Sequence, residues 1–388
     1  MNISILTFHQ ACNFGANLQA YSSCSYFRSQ GHNVSLIHYT RSVDDNYKSR
    51  VPHVQYLAHK EFVERQLPIT RSITEAAELN AIIEELQTEL LVIGSDAVWR
   101  DPDDGGVFFA KWLFDKNPHQ SIPVVSLSAA HMGSGFSPDN RRMLTDCLTR
   151  FKYITVRDRW TKFLVDNQIL NGTGRKCILN PDPVFMLDDF VEAPFDESVV
   201  PSKGYFLMTL PVNWVSGRNA KKRMNWFDKL KTEVNARGLK LIELPLPEGA
   251  SGMTFDYTVP YGINPLQWYN WIKNAKAFIG VRFHAIVSCI SANVPFFSVD
   301  TYGSISRFKY VMQMAGLYKI ARLGDAGSKI RNLLSDSAFS RYRIDFYIEN
   351  ISPRRIVDEL MAFPLDSLFD FKSRNQMAFK ATVEKMLK

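Results

Sequence analysis

The chain has 388 residues, of which 46% are hydrophobic and 13% aromatic, so it is long enough for two ordinary domains with large cores. No stretch approaches the roughly 18 apolar residues of a membrane span, and nothing is low-complexity, which argues against an integral membrane protein and a disordered one. The net charge of +7 suits an anionic substrate or membrane surface, whereas the dispersed basic residues argue against nucleic acid.

The N-terminus and the cysteines both favour a cytoplasmic protein. The first residues, MNISILTFHQ, begin with a strand and lack a basic region followed by an apolar one, so no signal peptide is predicted. The five cysteines are scattered and form no C-x-x-C pair. This pattern predicts reduced thiols and no metal site.

Strands and helices alternate along the first half of the chain. Ser72 and Glu75 have the spacing of a capping box at the start of an amphipathic helix. The predicted strands are 3–8, 34–39, 89–94, 123–128 and 153–156, and the predicted helices are 15–31, 72–87, 138–151 and 158–167. Apolar strands that alternate with helices predict a parallel sheet covered on both faces.

A second alternating region follows residues 187–203, which carry five carboxylates and two prolines and which we interpret as a linker. Its predicted strands are 204–210, 239–245, 277–281 and 294–299, with a helix at 219–238. The fold class is therefore α/β, with two Rossmann-like domains that face each other across a cleft. We expect the domains at residues 1–190 and 200–340, and a helical tail at 341–388 that packs back on the first domain.

The segment KAFIGVRFHAIVSC places an arginine and a histidine where a predicted strand ends and a helix begins. Ligands bind beyond the carboxyl ends of strands in open parallel sheets. Arg282 offers a planar fork of donors for a carboxylate or phosphate, and His284 can exchange a proton near neutral pH. The segment indicates an anion site with an acid or base beside it; an interdomain salt bridge and a buried structural histidine are the alternative.

A second strand also ends in an arginine. In YITVRDRW, Arg157 follows the strand and Asp158 has the character of a helix N-cap. Two strand ends in two predicted domains, each with an arginine, suggest an anion held between them. A surface pair of Arg157 with Asp158 is the ordinary structural alternative.

The loop ACNFGANLQAY lies between the first strand and the first helix. Gly15 lets the backbone approach a ligand, and Asn13 and Asn17 offer polar contacts. The dinucleotide fingerprint G-x-G-x-x-G is absent. A tight turn before a packed helix explains the same residues without a ligand.

Two further loops carry polar side chains after predicted strands. In VIGSDAVWR, Asp96 could bind or deprotonate a sugar hydroxyl, and Trp99 could stack on a sugar ring. A helix cap and a core tryptophan are the alternative for these two. In VSLSAAHMGSGF, His131 stands in a loop of small residues that is equally typical of a ligand loop and of a plain turn.

Taken in chain order, these five stretches resemble the motifs of the polysaccharide pyruvyl transferase family. Its motifs are matched by residues 13–21 (NFGANLQAY), 94–99 (GSDAVW), 155–158 (TVRD) and 181–183 (PDP). The segment NPLQWYNWIKNAKAFIGVRFHAIVSCISANVPFF resembles the family's helix, its strand ending in R-x-H and its V-P-F strand. The resemblance spans nearly the whole chain, and the ordered set is more specific than any one motif.

The resemblance implies a fold like that of GT-B glycosyltransferases, with phosphoenolpyruvate as the donor and no further cofactor or metal. It implies transfer of pyruvate to two hydroxyls of a sugar as a cyclic ketal, with the acceptor on the first domain and the donor on the second. By matching motif, the resemblance implies that Arg157 and Arg282 hold the donor and that His284 is the acid or base. With the loop residues above, we expect catalytic roles for His284 and Asp96, donor contacts from Arg157, Arg282, Phe283, Asn13 and Gly15, and acceptor contacts from Trp99, Ser95, His131 and Asn17.

The chain departs from the family pattern at two positions. Ala97 stands where the family has a glutamine, and Ser304 stands where some members have a lysine. Arg307 or Lys309 could replace that lysine.

Two other functions stay open. The first is a GT-B glycosyltransferase that uses a nucleotide sugar, although the second domain shows no clear E-x7-E pattern. The second is a non-catalytic carbohydrate-binding relative, against which Arg157, Arg282 and His284 argue. The preferred function is that of a cytoplasmic enzyme, compatible with the inner face of the membrane, that modifies a cell-surface polysaccharide or its lipid-linked precursor.

Overall fold

The computed structural model describes residues 1–40, 49–100, 105–116, 122–133, 135–191, 204–217, 219–300, 329–335, 337–345 and 347–388. Within these ranges the chain forms two larger parallel β-sheets with helices packed on them. This arrangement confirms the predicted α/β class. The five cysteines are all buried and none is bonded to another.

The first sheet has four strands in the order β2–β1–β3–β4, and each neighbouring pair is parallel. The strands are β1 (Asn2–Leu6), β2 (Asn33–Leu36), β3 (Leu90–Ile93) and β4 (Val124–Ser126). The helices of this part are α1 (Phe14–Ser29), α2 (His53–Gln66), α3 (Leu79–Glu85), α4 (Lys111–Lys116), α5 (Pro138–Leu148) and α6 (Arg159–Leu164). A short parallel pair, β5 (Thr155–Val156) and β6 (Ile178–Leu179), lies next to β4.

The second sheet has six parallel strands in the order β12–β11–β10–β7–β8–β9. They are β7 (Tyr205–Thr209), β8 (Lys240–Glu243), β9 (Tyr257–Thr258), β10 (Ala277–Gly280), β11 (Phe296–Asp300) and β12 (Arg343–Asp345). Its helices include α7 (Ala220–Ala236), α8 (Pro265–Lys273) and α9 (Phe283–Ser291). A capping box starts α8, because the side chains of Asn264 and Gln267 each bond the backbone N–H of the other.

The two sheets belong to one packed body. A single hydrophobic cluster contains buried residues of both sheets. Phe14 at the start of α1 stacks on Trp268 of α8 with ring centroids 5.1 Å apart. The helical segment Pro183–Asp189 packs on both α1 and α9. The carboxyl ends of the strands therefore face a shared region between the sheets.

The C-terminal helices are α10 (Lys329–Leu334), α11 (Pro353–Met361) and α12 (Leu365–Leu387). Helix α11 packs on α7, whereas α12 packs on α9 and on the segment Pro183–Asp189. Phe379 of α12 also meets Tyr26 of α1 edge-on, with centroids 5.1 Å apart. The tail thus has contacts with both parts of the chain, and the exact domain boundaries stay a prediction.

The predicted capping box at Ser72 and Glu75 is wrong. Ile73 forms a parallel bridge with Tyr39, so the chain is extended there and continues the edge of the first sheet. The helix α3 starts only at Leu79. Pairing with the sheet edge outweighs a local cap signal, because the bridge bonds backbone groups that the cap would leave to water.

Phe379→Ala should lower the free energy of unfolding by roughly 3–5 kcal/mol, because Phe379 is fully buried where α12 meets α1. Urea unfolding followed by circular dichroism measures the change. Phe369 on the same helix is 58% exposed, so Phe369→Ala is the matched control and should change stability by less than about 1 kcal/mol. Equal losses in the two variants would contradict this packing of α12.

Candidate active site

Four side chains meet where strands of both sheets end. Asp96 follows β3, Arg157 follows β5, Asp182 follows β6, and His284 lies in the first turn of α9, just after β10. Parallel strands place their carboxyl ends at one edge of a sheet. The fold therefore brings together residues that are up to 188 positions apart, from 96 to 284.

Arg157 is the centre of this cluster, and its side chain is only 2% exposed. Its Nη2 donates to Asp96 Oδ1 at 2.9 Å, and its Nη1 donates to Asp182 Oδ2 at 2.7 Å. A buried guanidinium requires such partners, because an uncompensated buried charge is strongly destabilising. The ring of Phe283 lies 5.0 Å from the guanidinium carbon and adds a cation–π contact. Both terminal nitrogens of Arg157 thus have carboxylate partners.

His284 Nε2 lies between a hydrogen-bond donor and an acceptor. It is 3.2 Å from Arg157 Nη1 and 3.4 Å from Asp182 Oδ2. The deprotonated nitrogen can accept from Arg157, whereas a proton on it is stabilised by the Asp182 carboxylate. The side chain is 13% exposed, so a bound molecule can reach it. This position suits a residue that both gives and takes a proton.

The N-terminus of α1 supports His284 through Gly15. A Cβ added at Gly15 would lie 2.1 Å from His284 Nδ1, so only glycine leaves room for the ring. Asn13 caps α1, because its Oδ1 accepts from the N–H groups of Gly15 and Ala16. Asn13 and Gly15 therefore hold the helix against His284, and their contact with a donor stays a prediction.

Arg282 lies just before α9 with φ +85° and ψ 131°, a backbone region that L-residues rarely adopt. Its Nη2 donates to Glu248 Oε1 at 3.0 Å, and its side chain is 37% exposed. Arg282 and Arg157 therefore have different carboxylate partners. A shared role of the two arginines in holding a donor stays a prediction.

The predicted acceptor residues lie inside the protein. Ser95, Asn17 and Trp99 are fully buried, and His131 is 2% exposed. Ser95 Oγ and Asn17 Nδ2 each donate to a backbone carbonyl, and His131 Nδ1 lies 2.6 Å from the Trp99 carbonyl oxygen. These side chains fix the loops that carry Asp96 and Gly15. Direct contact between them and a sugar does not fit this structure.

Trp99 requires a correction in particular. Its indole Nε1 donates to the Phe108 carbonyl oxygen at 3.1 Å, and its ring stacks on Phe109 with centroids 5.7 Å apart. No face of the ring is open, so the predicted stacking on a sugar is wrong. A tryptophan after a strand end has the same sequence pattern whether it faces a ligand or the core.

The charges of the cluster keep its carboxylates ionised. Burial would raise the pKa of Asp182, but His284 and then Arg157 outweigh this effect and hold the pKa well below its usual range. Burial would likewise raise the pKa of Asp96. The nearby charges of Arg157, His284 and Lys329 outweigh burial and lower this pKa. Both aspartates therefore carry a negative charge at neutral pH.

A cavity of about 320 Å³ adjoins Arg157 and is large enough for a small organic acid. It lies between the ends of β5 and β6 and the helices α9, α10 and α12. Its lining combines cations and amides with aromatic rings and includes Arg157, Lys329, Asn180, Asn332, Asn375, Phe283 and Phe371. An anion with a small apolar part matches this lining.

Lys329 is a further cation in this wall. Among the described residues, its Nζ has neither a hydrogen bond nor an ion pair. Burial, followed by repulsion from Arg157, lowers the pKa of Lys329 to about 8, although Asp158, Asp96 and Asp182 oppose the change. At pH 7 the ammonium group is therefore mostly charged and ready for an anion.

Asp182 and Lys329 had no predicted site role. Asp182 stands between two prolines in the motif at 181–183 that matches the family, and this motif was the available signal. Lys329 carries no such signal, because only the packing of α10 on α6 and α9 brings it near Arg157. Ser304, Arg307 and Lys309 lie outside the described residues.

Within the described ranges, no group of three or more histidine, cysteine or carboxylate side chains is arranged to hold a metal ion. In the same part of the chain, no helix combines the length and the apolar character that crossing a membrane requires.

The family model described as polysaccharide pyruvyl transferase matches residues 13–302. The chain belongs to this family. The match includes all four residues of the Arg157 cluster, from Asp96 to His284, and strands of both sheets. Membership makes the chain a transferase, with pyruvyl transfer to polysaccharide as its activity. No curated protein sequence matches the chain.

Solved structures share the fold at low sequence identity. The UDP-GlcNAc 2-epimerase of Methanocaldococcus jannaschii has a TM-score of 0.55 at 12% identity, over 98% of this chain and 99% of that chain. An α-glucosyltransferase in complex with UDP and DNA has a TM-score of 0.52 at 11% identity, over 100% and 98%. The UDP-N-acetylglucosamine 2-epimerase of Rickettsia bellii has a TM-score of 0.51 at 10% identity, over 99% and 95%. These likenesses confirm the GT-B-like fold.

Arg157→Met should lower the free energy of unfolding by roughly 3–5 kcal/mol, because it leaves Asp96 and Asp182 buried without their cation. Urea unfolding at pH 7 measures the loss. Arg71→Met is the matched control, since Arg71 also binds two carboxylates but is 48% exposed. It should have a much smaller effect. A loss in Arg157→Met no larger than in the control would contradict the buried network.

Proposed function

We propose that the chain is a phosphoenolpyruvate-dependent ketal pyruvyltransferase, which joins the donor's pyruvyl carbon to two hydroxyls of one sugar. The observation that carries this proposal is the buried cluster of Arg157, Asp182 and His284 beside the cavity of about 320 Å³. The cluster combines a proton carrier with fixed charges, and ketal formation requires both.

The overall reaction has a simple balance. The methylene carbon of phosphoenolpyruvate gains one proton, carbon 2 forms bonds to two acceptor oxygens, and the bond between carbon 2 and the phosphate's bridging oxygen breaks. The acceptor hydroxyls lose two protons. One of them replaces the proton given to the methylene carbon, and the other leaves with the phosphate.

His284 is the proposed proton donor to the methylene carbon. Its Nε2 faces the Asp182 carboxylate at 3.4 Å, which stabilises the protonated ring before transfer. After transfer, the nitrogen can accept a hydrogen bond from Arg157 at 3.2 Å. Protonation leaves positive charge at carbon 2, and the ionised carboxylates of Asp96 and Asp182 would stabilise that charge.

The donor's anionic groups require cations with free N–H groups. The terminal nitrogens of Arg157 already donate to Asp96 and Asp182, so Arg157 alone does not neutralise a phosphate. Lys329 lines the same cavity and has no hydrogen-bond or ion-pair partner among the described residues, and we assign it to the donor's phosphate or carboxylate. Phe283 lines the cavity as well and offers an apolar face to the methylene group.

Lys329→Met should weaken phosphoenolpyruvate binding by roughly 1.5–3 kcal/mol, about 10- to 150-fold in Kd, because it removes one charge-assisted contact. Isothermal titration calorimetry at pH 7 measures the change. Lys329→Arg keeps the charge and should retain most of the affinity. Lys273→Met is the control, since Lys273 binds Asp188 outside the cavity. Wild-type affinity in Lys329→Met would remove this lysine from the donor site.

The pH dependence of binding gives an independent check on Lys329. Its pKa of about 8 means that the ammonium loses its proton as the pH rises through this value. The affinity of the wild type for phosphoenolpyruvate should therefore fall between pH 7 and pH 9. Lys329→Arg stays charged over this range, so its affinity should stay nearly constant. A parallel decline in both proteins would assign the pH dependence to another group.

His284→Ala should lower turnover by roughly 100-fold or more and leave phosphoenolpyruvate affinity within about threefold of the wild type, because the acid is lost but the cations remain. Phosphate release from phosphoenolpyruvate measures turnover, with p-nitrophenyl galactoside, glucoside and N-acetylglucosaminide as acceptor probes. Near-normal turnover would remove the acid role of His284.

We further propose that the acceptor is a hexose or N-acetylhexosamine of a cell-surface polysaccharide or its lipid-linked precursor, modified in the cytoplasm. The net charge of +7 is compatible with contact at an anionic inner membrane face. Parallel titrations with UDP-GlcNAc and UDP-glucose test the main alternative. Binding of a UDP-sugar without phosphoenolpyruvate would favour glycosyl transfer, and sugar binding without phosphate release would favour a non-catalytic relative.

A further inference from the structure

Four hydrogen bonds meet at Ser128, a fully buried residue in the loop after β4. Its carbonyl oxygen accepts from Ser95 Oγ at 3.0 Å, and its N–H donates to Thr155 Oγ1 at 2.8 Å. Its hydroxyl donates to the carbonyl oxygen of Pro181 at 2.7 Å and accepts from Asn180 Nδ2 at 2.8 Å. Every polar group of Ser128 therefore has a partner in a neighbouring segment.

Three of these partners lie next to the charged residues of the Arg157 cluster. The members of each pair are one or two positions apart in the sequence, and the pairs are Ser95 with Asp96, Thr155 with Arg157, and Pro181 with Asp182. Ser128 thus connects the three segments of the first part of the chain that supply charges to the cluster. The remaining member, His284, comes from the second sheet.

The hydroxyl of Ser128 is a donor and an acceptor at the same time. A serine hydroxyl has one hydrogen and a carbonyl oxygen only accepts, so this hydrogen lies toward Pro181. The amide of Asn180 must then donate to Ser128 Oγ, which fixes the orientation of that amide. Loss of the hydroxyl would remove the partner of both groups together. Both groups belong to the turn that carries Asp182.

The position of Asp182 depends on this turn. Its side chain is 1% exposed, its Oδ1 accepts from the N–H of Val184 at 3.0 Å, and its Oδ2 lies 3.4 Å from His284 Nε2. Val184 holds the carboxylate directly, whereas Ser128 holds the peptide group before it through the Pro181 carbonyl. A displacement of this peptide group would move the carboxylate relative to His284. A misplacement of about 1 Å can cost about 100-fold in rate.

We propose that Ser128 is a positioning residue of the pyruvyl transfer, whose hydroxyl holds Asp182 at the distance where its carboxylate stabilises the protonated ring of His284. This inference rests on the proposed function. Ser128 is fully buried, so it does not touch the donor. Its hydroxyl therefore affects the reaction through Asp182, in the proton transfer and not in donor binding.

Ser128→Ala tests the hydroxyl alone, because alanine keeps the backbone groups that bond Ser95 and Thr155. We expect kcat to fall roughly 10- to 100-fold, measured as phosphate release with the three p-nitrophenyl hexosides. The affinity for phosphoenolpyruvate should stay within about threefold of the wild type, because the cations of the cavity remain. A kcat within about threefold of the wild type would overturn the proposal.

The pH profile of kcat separates this role from a purely structural one. The charged groups around His284 are Arg157, Asp182 and Asp96. A displaced Asp182 carboxylate stabilises the protonated imidazole less, so the alkaline limb of the profile should move to lower pH in Ser128→Ala. A loss of folded protein would lower the rate by the same factor at every pH, and an unshifted profile would overturn the proposal.

Ser4→Ala is the matched control, since Ser4 is 1% exposed and its Oγ lies 2.7 Å from Thr88 Oγ1, just before the amino end of β3. It loses a comparable buried hydrogen bond, so its urea midpoint should fall about as much as that of Ser128→Ala, while its kcat and pH profile stay those of the wild type. Equal losses of kcat in the two variants would assign the effect to stability and overturn the proposal. If Ser128→Ala does not fold, Ser128→Cys takes its place, because the thiol keeps the shape and weakens both bonds.

Crystal structures of the wild type and of the Ser128 variant provide a readout that needs no acceptor. We expect the distance between Asp182 Oδ2 and His284 Nε2 to increase from 3.4 Å by about 0.5 Å or more in the variant. An unchanged distance would overturn the proposal, including in the case that none of the three hexosides is an acceptor. Failure of the proposed function is distinct: the wild type would bind a UDP-sugar and not phosphoenolpyruvate, whatever this distance.

Discussion

The ion pairs of Arg157 with Asp96 and Asp182 are the interaction on which the site depends. A cation and two carboxylates are buried together, and each would be unfavourable alone. Their mutual bonds tie the ends of β3, β5 and β6 to one point. His284 enters this network from the second sheet, so the same charges that stabilise the first part of the chain also set the surroundings of the proton carrier.

The close packing of the first part of the chain against the second sheet's helices depends on van der Waals contacts as much as on charge. Gly15 has no side chain, and His284 occupies the space where one would be. Phe283 lies over the guanidinium of Arg157, so α9 supplies both an aromatic cover and an imidazole to the cluster. The aromatic stack of Phe14 on Trp268 holds α1 and α8 together close by. Packing thus places the groups, and electrostatics determines their protonation.

The sequence was informative where a pattern is local. Apolar strands, Asp158 as a helix N-cap and the strand-end positions of Asp96, Arg157 and His284 all follow from neighbouring residues. The hydrogen-bond and ion-pair partners of these residues were not predictable, because they depend on packing between elements that are distant in the sequence. Trp99 has the pattern of a sugar platform but is a core residue, and Lys329 reaches the cavity only through the fold.

The balance of charge also bears on how the site would hold an anionic donor. The positive charges of Arg157 and Lys329 offset the negative charges of Asp96 and Asp182, so the group is close to neutral without a ligand. An anionic donor would add negative charge that Lys329 is placed to offset, because the terminal nitrogens of Arg157 already donate to the two carboxylates.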